Sequence, residues 1–159
     1  MDMPQTPQVD EQAERDAAHQ PTIRDLIMLE QPNSVKVSPS GNRVAIGVRT
    51  TNWKKNRYET ICYIHTLADG STYPLNRSGS VMQVEWVDDD TVALLKRENG
   101  DNAKPQIWLY EGLVGEGWAV TDHKTGVDFF ARFADGLLFV VHGGPRSSSL
   151  SLLLTYEDF

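Results

Sequence analysis

Val35-Lys36-Val37-Ser38-Pro39-Ser40-Gly41-Asn42-Arg43-Val44-Ala45-Ile46-Gly47-Val48 is the stretch that decides the fold. An apolar residue, Val37, leads into a polar turn, and an apolar strand leaves it. Pro39 suits an early turn position and Gly41 suits a positive φ. The arrangement returns at residues 84–95, around Trp86 and the turn Asp88-Asp89-Asp90, and again at residues 129–141, around Phe133. The three anchors stand 49 and 47 residues apart. A second pattern interleaves with the first. Residues 61–70 align without gaps to residues 107–116, at an offset of 46. Each copy reads as a strand and a tight turn, followed by a return strand at residues 71–75 or 117–120. One unit is therefore strand, turn, strand, longer loop, strand, turn, strand. Four strands in about 40–50 residues is the signature of a propeller blade. The alternative is a β-sandwich whose hairpins look alike; the agreement of the two offsets favours the propeller.

The expected fold class is all-β, a partial β-propeller of four-stranded antiparallel blades preceded by a short helix. The blades fall at about residues 35–76, 84–123 and 129–159, roughly two and a half in number. Turns are expected at residues 39–42, 68–71, 88–90 and 115–117. Upstream, Thr22-Ile23-Arg24-Asp25 places a hydroxyl and an acid three apart, a capping-box pattern right after Pro21. Leu26, Ile27 and Leu29 follow, and Pro32 is expected to stop the helix. Residues 1–21 are rich in Gln, Asp, Glu, Ala and Pro and bury too little apolar surface to order, so they read as a disordered acidic tail.

Composition narrows the function. The 159 residues carry a net charge of −7, and five acids against one arginine in the first twenty supply much of it. The remainder is only mildly acidic, which argues against nucleic acid as a partner. No apolar run approaches the ~20 residues needed to span a bilayer, so no membrane is expected. The N-terminus has no apolar core of a secretory signal, and the single cysteine, Cys62, allows no disulfide within the chain. Both favour the cytoplasm.

Ser38-Pro39-Ser40-Gly41-Asn42-Arg43-Val44-Ala45 resembles the S-P-D-G-x-x-(I/V)-A blade motif of the prolyl oligopeptidase family of serine peptidases. Ile107-Trp108-Leu109-Tyr110 is similar to the IWLVD strand of the acylaminoacyl-peptidase branch, and Thr121-Asp122-His123 to the LTDH that closes such blades. The short helix before the first motif fits the same branch. The resemblance covers residues 22–141. Ser40 stands where Asp is usual, and the second turn has neither Pro nor Gly. It implies an N-terminal propeller segment of a peptidase of the acylaminoacyl- or dipeptidyl-peptidase type. In such enzymes the propeller caps an α/β-hydrolase domain and admits peptides while excluding folded proteins. The implied partners are a peptide substrate and that hydrolase domain.

The chemistry itself is expected elsewhere. No serine in the chain has glycines two residues to either side, so there is no nucleophile elbow. A hydrolase domain would need on the order of 200 further residues. The expected explanation is a truncated reading frame or a fragment, inactive alone, with no catalytic residue, cofactor or metal of its own. Residues 150–154 would then leave an apolar strand edge unpaired and promote self-association. A non-enzymatic propeller module for protein–protein interaction remains the alternative.

Single residues add less. His142-Gly143-Gly144-Pro145 is similar to the loop that enters the oxyanion region in these peptidases, but the repeat register puts it where Arg97-Glu98-Asn99-Gly100 fell one unit earlier; both readings stay open. His19, His65 and His123 match no metal spacing. Cys62 reads as a small core residue and Asp88, Asp89 and Asp90 as a solvated turn. Trp53-Lys54-Lys55-Asn56-Arg57 reads as a solvent-facing basic loop, and Trp86, Trp108 and Trp118 as packing between blades.

Overall fold

A computed structural model describes residues 21–100, 102–133, 136–141 and 149–155. Residues 1–20 of the expected tail and the His142-Gly143-Gly144-Pro145 loop lie outside the described residues. Among the described residues the chain is all-β with one short α-helix, α1 (Ile23–Met28). The first sheet is formed by β1 (Gln31–Val37), β2 (Arg43–Asn52), β3 (Arg57–Thr66) and β4 (Thr72–Pro74). The second contains β5 (Ser80–Trp86), β6 (Thr91–Arg97), β7 (Gln106–Glu111) and β8 (Trp118–Ala119). The third has β9 (Val127–Phe133), β10 (Gly136–Val141) and β11 (Ser149–Thr155). Each sheet runs in chain order and every pairing is antiparallel. No helix among the described residues is long and apolar enough to cross a membrane.

The expected capping box forms. Thr22 Oγ1 accepts from the Asp25 N–H at 3.2 Å, and Asp25 Oδ2 accepts from the Thr22 N–H at 2.8 Å. Six residues are too few for a helix to stand alone in water. Here α1 buries no residue, and is tied down by Thr51 Oγ1 donating to the Ile27 carbonyl at 2.6 Å and by Arg24 lying 5.2 Å from the Trp53 ring centre. Pro32 is not what ends it. The chain leaves the helix at Leu29, which is already extended, and Pro32 sits inside β1. Proline is tolerated there because β1 is an edge strand and its register shifts between Pro32 and Ser34. Opposite that shift Gly47 leaves room for the Ser34 hydroxyl and the Asn33 side-chain amide, which a Cβ there would displace.

The first three expected turns are present, and Gly41 holds φ +78° in the first, with its N–H bonded to the Ser38 carbonyl at 2.9 Å; the fourth falls at Gly112-Leu113, both at positive φ, ahead of the expected residues 115–117. The interleaved hairpins superimpose, but one residue away from the gapless alignment. Tyr63 pairs with Pro74 as Trp108 pairs with Ala119, so β7 repeats β3 at an offset of 45 rather than 46. Side chains close both hairpins in the same way. The Cys62 N–H donates to Asn76 Oδ1 at 2.7 Å, and the Ile107 N–H donates to Thr121 Oγ1 at 2.9 Å. A slip of one residue exchanges the faces of a strand. Cys62 and Ile64 are buried as Ile107 and Leu109 are, whereas the aligned letters Ile61 and Ile107 sit on different faces.

The core explains the stacking of the sheets. Strand β6 is buried from Thr91 to Lys96, on both faces. Period-two alternation sends Val92 and Leu94 into one cluster with Ala45, Cys62 and Ile64 of the first sheet. It sends Ala93 and Leu95 into a second cluster with Val127, Phe130 and Leu137 of the third sheet. The second sheet is thus a shared wall. Trp86 is buried in the first cluster and donates its Nε1–H to the Lys36 carbonyl at 2.9 Å, and Trp108 packs against the same cluster. Trp118 does not join them: it is 40% exposed, because β8 is an edge strand of only two residues.

Candidate functional site

Polar bonds lock neighbouring sheets at both ends. At the turn end, Asp89 Oδ1 accepts the Ser40 N–H at 2.8 Å, and Arg43 reaches the Asp89 carbonyl at 2.7 Å and the Asp90 carboxylate. The Ser40 N–H holds the Asp89 carboxyl below the usual carboxylate range. The acidic turn is therefore a clamp on the first sheet rather than merely solvated. One strand position along, at the surface, Lys36 Nζ meets Glu85 Oε1 at 2.8 Å. Between the second and third sheets, the Gln83 side-chain amide bonds both the N–H and the carbonyl of Phe130.

The opposite end carries the connection from β2 to β3, a 3-10 turn over Trp53–Lys55 with Asn56 left-handed at φ 47°. Its bases are tied to the next sheet: Lys55 Nζ and Arg57 Nη2 both donate to Asn99 Oδ1, at 3.5 and 2.6 Å. Arg57 also grips Glu59 through Nε and Nη2, at 2.9 and 2.7 Å. Asn52 first, then Arg57 and Lys55, hold the Glu59 carboxyl below its ordinary range. Arg49 lies 4.6 Å from the Tyr58 ring centre.

Beside this loop, between the first and second sheets, is a pocket of about 280 Å³ lined by Arg57, Tyr58, Ser80, Met82, Arg97 and Glu98. Ser80 Oγ accepts the Thr60 N–H at 3.0 Å, which leaves its own O–H to donate. Behind Glu98 lies Lys96, 1% exposed. Its ammonium sits 2.6 Å from Glu98 Oε1, 3.1 Å from the Tyr110 hydroxyl and 3.7 Å from the Trp108 ring centre. A buried charge needs such partners. Burial raises the Tyr110 hydroxyl above its ordinary range, against the pull of Lys96. Burial pushes Glu98 up as well, but Lys96 and the Ser78 hydroxyl outweigh it and hold the carboxyl below its ordinary range.

The histidines singled out from sequence are not brought together. His65 Nδ1 bonds Thr72 Oγ1 at 2.8 Å across the β3–β4 hairpin and His123 Nδ1 bonds Thr125 Oγ1 at 2.9 Å within one loop. Among the described residues no group of three potential metal ligands forms. Cys62 is buried in the first cluster, and burial pushes its thiol up to about 12. Ser80, Lys96 and Arg97 were not singled out. Nothing local marks Ser80 and Arg97, because the pocket they line exists only where two sheets meet.

The chain matches no family model and no curated protein. Its strand arrangement does match solved structures. Against the acylaminoacyl peptidase of Pyrococcus horikoshii the TM-score is 0.58 at 20% identity, covering 71% of this chain and 18% of that one. Against the isopeptidase AtxE2 in its apo form the TM-score is 0.57 at 13% identity, covering 74% of this chain and 22% of that one. At these identities the likeness is one of fold, and the chain spans about a fifth of either structure's length.

Proposed function

We propose that residues 22–159 are a β-propeller segment of a serine peptidase of the prolyl oligopeptidase family, of the acylaminoacyl- or dipeptidyl-peptidase type. The three sheets would be successive blades around an axis. The observation that carries this is the second sheet, buried on one face by the sheet before it in the chain and on the other by the sheet after it. A sandwich buries one face of each sheet and exposes the other, whereas a propeller buries both faces of each blade against its neighbours. The fold likeness to two peptidases of known structure, and the Ser38-Pro39-Ser40-Gly41 turn, add support.

In this reading the segment shapes access to a catalytic domain and does no chemistry. The 159 residues hold no Gly-x-Ser-x-Gly elbow. The peptide and the α/β-hydrolase domain are then partners of the whole enzyme. A serine-directed fluorophosphonate probe tests it. The purified 159-residue chain should stay unlabelled and leave acylaminoacyl and peptidyl chromogenic substrates intact, while the product of the parent reading frame should label at one serine. Labelling of a serine within the chain would overturn the proposal, and an unlabelled parent product would favour a binding module.

A further inference from the structure

The β2–β3 loop and the end of β6 that faces it bring together Lys54, Lys55, Arg57 and Arg97, with Glu59 and Glu98 the acids beside them. Both of those acids are already committed, Glu59 to Arg57 and Lys55, and Glu98 to Lys96 and Ser78. The bases are not balanced in return. Arg97 is exposed and has no hydrogen bond or ion pair among the described residues. Arg57 spends Nε and Nη2 on Glu59 and Asn99 and keeps Nη1 for another acceptor.

We infer that the pocket beside the β2–β3 loop is a binding site for a carboxylate carried on a small apolar body, such as the terminal residue of a peptide. Three residues with donor groups to spare line it: Arg97, Arg57 with its Nη1, and Ser80 with its hydroxyl. A guanidinium fork matches the two oxygens of a carboxylate. Tyr58 and Met82, each more than half exposed, supply the apolar walls. The volume of about 280 Å³ sits just below the range of sites for drug-sized ligands, which suits one residue and not a long peptide. Glu98 sets the charge of the guest. Its carboxylate stands in the wall, paired with Lys96, so a singly charged carboxylate should be accepted more readily than phosphate above neutral pH, where the dianion predominates. The site is complete in this chain and needs no hydrolase domain, so its test is separate from that of the peptidase reading.

The experiment is a 1H–15N titration of the full 159-residue chain with three probes: N-acetylphenylalanine, its neutral amide, and inorganic phosphate. The acid should give saturable shifts at Arg97, Ser80 and Met82, with a Kd of about 1 mM. The amide should not saturate, and phosphate should bind several-fold more weakly than the acid. Arg97→Gln should weaken the acid about tenfold and Arg97→Lys, which keeps the charge and loses the fork, by less; a thermal melt of each variant checks that the fold is intact. Equal binding of acid and amide, tighter binding of phosphate, unchanged affinity in a folded Arg97→Gln, or no saturation by any probe overturns the inference. The acid–amide comparison needs no variant, so the test survives a substitution that fails to fold.

Discussion

Leu94 and Leu95 are neighbours in one strand and belong to different cores. Leu94 is fully buried in the cluster shared with the first sheet, and Leu95, 1% exposed, in the cluster shared with the third. Truncating either to alanine removes three carbons, a transfer loss of about 2.4 kcal/mol at ~0.8 kcal/mol per methylene. The walls on both sides are sheets held by backbone ladders and collapse little into a void, so a cavity cost adds and the total should reach about 3–4 kcal/mol. That is a large share of the roughly 5–15 kcal/mol that holds a domain together. Urea unfolding followed by tryptophan fluorescence reads it, Trp86 being buried in the first cluster. Both variants should lower the midpoint by similar amounts with unchanged slope, in one transition. Were the second sheet covered on one side only, Leu95 would face water and its truncation would cost about 0.5 kcal/mol or less. A cost near 3 kcal/mol for Leu94→Ala with under about 1 kcal/mol for Leu95→Ala would refute the shared wall.

Asn76→Ala and Thr121→Val each strip the acceptor from a buried N–H, of Cys62 and Ile107, and should cost about 1–3 kcal/mol. Hydrogen exchange should speed up at that one amide in each variant, and unchanged protection there would contradict the repeated closure. The Cys62 thiol is raised to about 12 in the folded chain, above its ordinary range. Its contribution to stability is therefore complete below about pH 8.5 and is lost as pH rises toward the folded value, by about 1.4 kcal/mol per pH unit. Denaturant midpoints between about pH 9 and 11 should fall more steeply for the wild type than for Cys62→Ala; parallel slopes would rule this out. At neutral pH iodoacetamide should modify Cys62 only after unfolding.

Local chemistry was legible in the sequence, and so was the packing of Trp86 and Trp108 between sheets, but the polar contacts between sheets were not. Thr22 and Asp25 announce their capping box because both partners lie within one turn of helix, and Pro39-Ser40-Gly41 announces its turn because the backbone demands those residues. The hairpin register was read one residue off, because the shared letters Ile61 and Ile107 suggested a match that burial against the neighbouring sheet does not respect. Pro32 reads as a helix stop, yet an edge strand with a shifted register accommodates it. Lys96, 1% exposed, was not among the residues the sequence marks. What buries it is Trp108 and Tyr110, two apart on the next strand and so on the same face, and that spacing was the one available signal. The pocket needed Arg57 and Arg97 side by side across forty residues of chain, which no local pattern foretells.

The central claim, that these sheets are blades of a peptidase propeller, is tested most directly by reading the coding DNA beyond the Phe159 codon. The account predicts further strand–turn–strand units at a spacing of about 45 residues, followed by a Gly-x-Ser-x-Gly elbow with an aspartate and a histidine beyond it. Several hundred codons of downstream sequence, in any frame, with neither the repeat nor the elbow would contradict it.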